Sequence, residues 1–106
     1  MKVLTPGHKY ELANFEPLGP GAVSQTIQFI EKVPVAEGST ELRTVNNGTT
    51  NEEVLAVLID RLGNLQAKFP CRENALAITK LEEASMWLAK RTAERKARGV
   101  EGKQIK

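Results

Sequence analysis

The chain has 106 residues with 15 Lys/Arg, 13 Asp/Glu, a single histidine and a single cysteine, for a formal charge of +2. That length predicts one domain, small enough that oligomerisation often supplements its core. One cysteine excludes an intrachain disulfide and fits a reducing cytoplasm. No apolar run is long enough for a membrane span, and the start, Met1-Lys2-Val3-Leu4-Thr5-Pro6, has too short an apolar part for a signal peptide.

The first half, residues 1–48, reads as strands. His8–Phe15 lies between Pro6-Gly7 and the turn-forming run Pro17-Leu18-Gly19-Pro20-Gly21. Val23–Val33 places Val23, Ile27 and Phe29 on one parity and predicts a half-buried strand that Pro34 ends or edges. Gly38-Ser39 is a turn, Glu41–Val45 a third short strand, and Asn46-Asn47-Gly48 closes this part.

Residues 49–99 read as a helical hairpin. Thr50-Asn51-Glu52-Glu53 has the spacing of a capping box, and Val54, Leu55, Leu58, Leu62 and Leu65 make an apolar face. Pro70 ends the first helix near Lys68 and suits the first turn of the second, which runs to Arg98 with Gly99 as its cap. Residues 100–106 read as a loose tail. The expected class is α+β, a small antiparallel sheet followed by two helices.

Charge is uneven. Residues 90–106 carry seven Lys/Arg and two Glu, net +5, and the rest of the chain is net −3. This footprint is too narrow for duplex DNA. Along the second helix Ala77, Leu81, Ala84 and Leu88 form an apolar seam, and the same count next reaches Arg91 and Arg95. Two like charges four residues apart repel, and Arg95 has no acid three or four residues away. The simplest compensator is an anion from outside the chain, although basic residues at a helix C-terminus also complement the dipole.

Little points to catalysis. His8 stands alone in a predicted strand, and Cys71, at a helix start, has no histidine near it in sequence. No Cys/His spacing suits zinc, and no cofactor is implied. The adjacent pairs Glu52/Glu53 and Glu82/Glu83 diverge on their helices and read as solvated faces. Phe69, in the hairpin bend, is placed either to stack on a base or to staple the two helices. Asn74, in the first turn of the second helix, has an amide that matches an adenine edge, or is an ordinary polar residue there. Leu76, Met86 and Trp87 turn away from the side carrying Ile78, Leu81 and Leu88, which predicts a homo-oligomer.

Two blocks, Val45-Asn46-Asn47-Gly48-Thr49-Thr50-Asn51-Glu52-Glu53-Val54-Leu55-Ala56-Val57-Leu58-Ile59-Asp60-Arg61-Leu62 and Phe69-Pro70-Cys71-Arg72-Glu73-Asn74-Ala75-Leu76-Ala77-Ile78-Thr79-Lys80-Leu81-Glu82-Glu83-Ala84, resemble the first described family of phage Thoeris anti-defence proteins. Arg91-Thr92-Ala93-Glu94-Arg95 and Gly99-Val100-Glu101-Gly102 continue the likeness, and the second helix is also similar to the hairpin of the related anti-CBASS sponges. The resemblance implies a phage immune-evasion protein in the host cytoplasm that binds a cyclic nucleotide signal and holds it uncleaved. For this branch the implied signal is a glycocyclic ADP-ribose isomer; some relatives also take cyclic di- or trinucleotides at a separate site. The implied fold is an N-terminal sheet packed on two C-terminal helices, in assemblies built from dimers, often three in a hexamer. The family's ligand-contacting arginines match Arg91 and Arg95, and its asparagine matches Asn74; Arg43 is the candidate from the N-terminal half. Two rivals remain at this level: a regulatory or nucleic-acid-binding protein using the basic helix, and an enzyme that degrades the signal.

Overall fold

A computed structural model describes residues 1–106 and has the α+β class expected. It divides into two compact units, Met1–Thr50 and Asn51–Lys106.

The first unit holds five short strands: β1 (Lys2–Thr5), β2 (Lys9–Leu12), β3 (Gln25–Gln28), β4 (Glu31–Pro34) and β5 (Leu42–Asn46). They form two antiparallel sheets, ordered β1-β2-β3 and β4-β5. In the first, Val3 faces Tyr10 and Tyr10 faces Ile27, and Lys2 stands opposite Glu11, a favourable cross-strand charge pair. β1 is absent from the sequence reading, because four residues without clean alternation carry no legible period. The strand expected over His8–Phe15 shrinks to β2, and His8 lies in the turn before it.

The single strand expected over Val23–Val33 is instead two strands in different sheets. Consecutive N–H groups explain the break: Phe29 donates to the His8 carbonyl at 2.7 Å, whereas Ile30 donates to the Thr49 carbonyl at 2.9 Å. The Thr49 N–H returns a 2.8 Å bond to the Gln28 carbonyl. Gly48 permits this approach, since a Cβ there would lie 2.3 Å from the Gln28 oxygen. The rings of Tyr10 and Phe29 meet edge-on at 6.1 Å. Pro34 pairs with Leu42 as the last residue of β4.

The second unit is a hairpin of α1 (Asn51–Lys68) and α2 (Arg72–Ala97) in mutual contact. Val54, Leu55, Ile59 and Leu62 are half-buried on α1; Ile78, Leu81, Ser85, Leu88 and Thr92 are half-buried on α2. Pro70 does not open α2. The N-cap is Cys71, extended at φ −149°, whose Sγ accepts the Asn74 N–H at 3.4 Å, and Pro70 precedes it. The bend is clamped by Gln66, whose side-chain amide donates to the Cys71 carbonyl and accepts the Cys71 N–H, each at 3.0 Å.

The end of α2 closes as a Schellman motif. Gly99, at φ +72°, donates to the Lys96 carbonyl and Val100 to the Arg95 carbonyl. The following residues are not loose: Lys103 donates to Val100 and Ile105 to Lys103, so the segment turns back on the helix end. No apolar side chain anywhere in the chain is fully buried, and no helix is long and apolar enough to cross a membrane.

Candidate functional site

The candidate residues fall into three places. Arg43 is exposed on β5, in the N-terminal unit, where it pairs with Val33. Phe69 and Asn74 flank the hairpin bend. Arg91 and Arg95 lie near the far end of α2.

At the bend, Phe69 is 80% exposed, too open to staple the helices together. Its N–H donates to the Leu65 carbonyl at 2.9 Å, so its backbone extends α1 while Gln66 pins the chain that follows. A rigid backbone thus carries an open ring, the arrangement that a stacking partner needs. Asn74 is half-buried, with its N–H spent on the Cys71 cap.

At the far end the two arginines part company. The seam runs through Leu81, Ser85, Leu88, Thr92 and Arg95, so after Leu88 the step is four and then three rather than three and then four. Both counts reach Arg95, but Arg91 falls off the seam and is exposed. Arg95 is 7% exposed, the one buried charged residue of the chain.

Its compensator comes from the chain itself, which corrects the expectation of an external anion. The Arg95 guanidinium donates through Nη1 to the Ile105 carbonyl and through Nη2 to the carbonyls of Val100 at 2.9 Å and Lys103 at 2.7 Å. Its Nε lies 3.4 Å from a carboxylate oxygen of Glu101. A planar fork of five donors is the side chain that can serve several acceptors at once. The Schellman turn at Gly99 throws the segment back, and Arg95 holds it there, with Arg98 adding a bond to the Lys106 carbonyl. The acid is six residues away and beyond a glycine turn, outside any helical spacing count. Gly99 and Gly102, both at positive φ, are the signals that the segment is a built turn.

Around Arg91, Lys90 sits over the Trp87 ring at 5.1 Å and also reaches Glu94 at 4.0 Å. Both contacts lie on an exposed face, and the Arg91 guanidinium is the open cation between that pair and the Arg95 clasp. Within one chain the two ends of α2 cannot meet on one small molecule. Asn74 and Arg91 are seventeen positions apart, about 25 Å at 1.5 Å per helical residue.

The comparisons with known proteins fall on this hairpin. The family model described as Acb2/Tad1, hairpin domain, matches residues 24–93, a span that includes Arg43, Phe69, Asn74 and Arg91 and stops short of Arg95. A protein of Bacillus phage SBSphiJ7 named Thoeris anti-defense 1 is 48% identical over 103 residues, covering 81% of this chain and 72% of the relative. With both helices and the last two strands of the first unit inside the match, the chain belongs to the Acb2/Tad1 hairpin-domain family.

Proposed function

We propose that this chain is a phage anti-defence protein that acts inside the infected host by taking up the cyclic nucleotide signal of the Thoeris system, a glycocyclic ADP-ribose isomer, and holding it uncleaved. The observation that carries the proposal is the 48% identity to a phage protein named for action against Thoeris. The hairpin adds chemistry suited to the task. Phe69 offers an open ring for the base, Asn74 an amide for its edge, and Arg91 an open guanidinium for the pyrophosphate. Arg95 takes part by exchange. Phosphate oxygens are charged acceptors, roughly twice as strong as neutral carbonyls, and replace the carbonyls of Val100, Lys103 and Ile105 on its fork. Since the two ends of α2 stand about 25 Å apart, groups from both reach one ligand only when two copies contribute. A site between copies also gives the enclosure that tight binding of a small molecule needs. Arg43 is proposed as the contact from the N-terminal unit.

Calorimetric titration with the cyclic ADP-ribose isomer tests this reading. The unmodified chain should bind it, and Arg91→Ala should weaken binding by about one to two decades. That follows from a charged hydrogen bond of about 1.5–3 kcal/mol and about 1.4 kcal/mol per decade. Binding by Arg91→Ala within a factor of a few of the parent removes Arg91 from the site; no heat from the parent chain overturns the signal-binding reading.

A further inference from the structure

The outer face of α1 is a groove of about 580 Å³ lined along one stripe of the helix from Glu53 to Lys68. Its charges are arranged with a reversal about the middle of the helix. Reflect the stripe through the point between Asp60 and Arg61, and every acid maps onto a base: Asp60 onto Arg61, and Glu53 onto Lys68. The centre of the stripe obeys the same rule. Val57, 60% exposed, maps onto Asn64, and the small Ala56 maps onto Leu65, 37% exposed.

We propose that this face of α1 is a self-complementary docking surface for a second copy of the same chain, lying antiparallel across a two-fold axis that passes between Asp60 and Arg61. A two-fold contact is isologous: each residue meets on the partner the residue to which the symmetry maps it. Two antiparallel copies of the stripe, each about 22 Å long, therefore juxtapose Asp60 with Arg61 twice and Glu53 with Lys68 twice, with Leu65 over Ala56 at the flanks. A parallel copy would set like against like at every one of these positions, so the pattern selects orientation as well as partner. Asp60 and Arg61 are open to take up these contacts. Arg61 and Lys68 have no ion pair within the chain, and Asp60 holds only the Asn64 side chain, whose Nδ2 reaches its carbonyl at 2.9 Å and its carboxylate at 3.4 Å.

The axis has a consequence for the ligand site, and this consequence alone rests on the proposed function. The axis crosses α1 about 14 Å from the hairpin bend, and Arg91 lies about 17 Å beyond it along α2, at 1.5 Å per residue. Inverting the hairpin through the axis brings Phe69 of one copy level with Arg91 of the other, to within about one helical turn.

The test uses the full-length chain without ligand, so that its outcome is independent of signal binding. Asp60→Lys sets a lysine against Arg61 across the axis, a like pair, and Arg61→Glu sets a glutamate against Asp60. Each variant alone should self-associate at least tenfold more weakly at low salt, by analytical ultracentrifugation. A mixture of the two restores both attractions: the introduced lysine meets the introduced glutamate, and the unchanged Asp60 of one variant meets the unchanged Arg61 of the other. The variants should therefore prefer each other to themselves. The double variant carrying both substitutions should associate like the parent. All the new residues are good helix formers at exposed positions, which keeps the hairpin folded. Equal association of parent and single variants, or no preference for mixed over like pairs, overturns the proposal, as does finding that α1 instead takes a different protein.

Discussion

At the residue scale the decisive side chain is Arg95. The sequence makes it an anomaly, a charge on an apolar seam, and the structure resolves the anomaly inside the chain through three tail carbonyls and Glu101. Removing it therefore costs more than removing Arg91. Arg95→Ala should lower stability by about 1–2 kcal/mol, because the charged bonds are lost while the exposed segment can turn its carbonyls to water. Hydrogen exchange at the Lys103 and Ile105 amides should accelerate, and Arg95→Lys should not rescue it, since a point charge lacks the fork. Unchanged exchange in both variants would mean that the clasp does not hold the segment. Gly48 gives a second case. Its hydrogen faces the Gln28 carbonyl so closely that Gly48→Ala must push Thr49 away and break the bonds that join the two sheets. A loss of about 1–3 kcal/mol is expected, read as a fall in Tm of about 5 °C or more; an unchanged Tm would contradict the close approach.

At the element scale the long segments are the legible ones. Eighteen residues of α1 and twenty-six of α2 carry several apolar repeats each, with Pro70 between them and Gly99 after them, so their bounds stand in the sequence nearly as they fold. The strands are less legible. β3 and β4 share one run of β-favouring residues, and what separates them is a hydrogen-bond switch at Phe29 and Ile30 that depends on residues distant in sequence. The bend shows the same limit. Phe69 and Asn74 stand out in the sequence, but the Gln66 clamp and the Cys71 cap that fix the turn depend on geometry. For the candidate site, its residue types are readable and its grouping is not: a linear count cannot show that Arg91 is open while Arg95 is enclosed. Gly99→Ala tests the element that separates them. A residue with a Cβ at φ +72° costs about 1 kcal/mol, and it should loosen the same amides as Arg95→Ala without touching Arg91. Slow exchange retained there would show that the turn is not what returns the segment.

At the scale of the whole molecule, the chain leaves its apolar surface unfinished. No apolar side chain is fully buried, while Leu76, Met86 and Trp87 stand about half exposed or more on α2. Contiguous patches of this kind are rare on soluble monomers. Light scattering at micromolar concentration should give a mass above that of one 11.7 kDa chain. A monomer mass would contradict both the assembly and a site shared between copies.

The central claim is that the chain sequesters its signal and leaves it intact. It is tested most directly by incubating the protein with the cyclic ADP-ribose isomer, removing unbound ligand, heating the complex and identifying the released small molecule by mass spectrometry. The account predicts recovery of the cyclic compound with unchanged mass and retention, in proportion to protein. Release of linear ADP-ribose or mononucleotides that increases with protein and time would contradict it and identify an enzyme that degrades the signal.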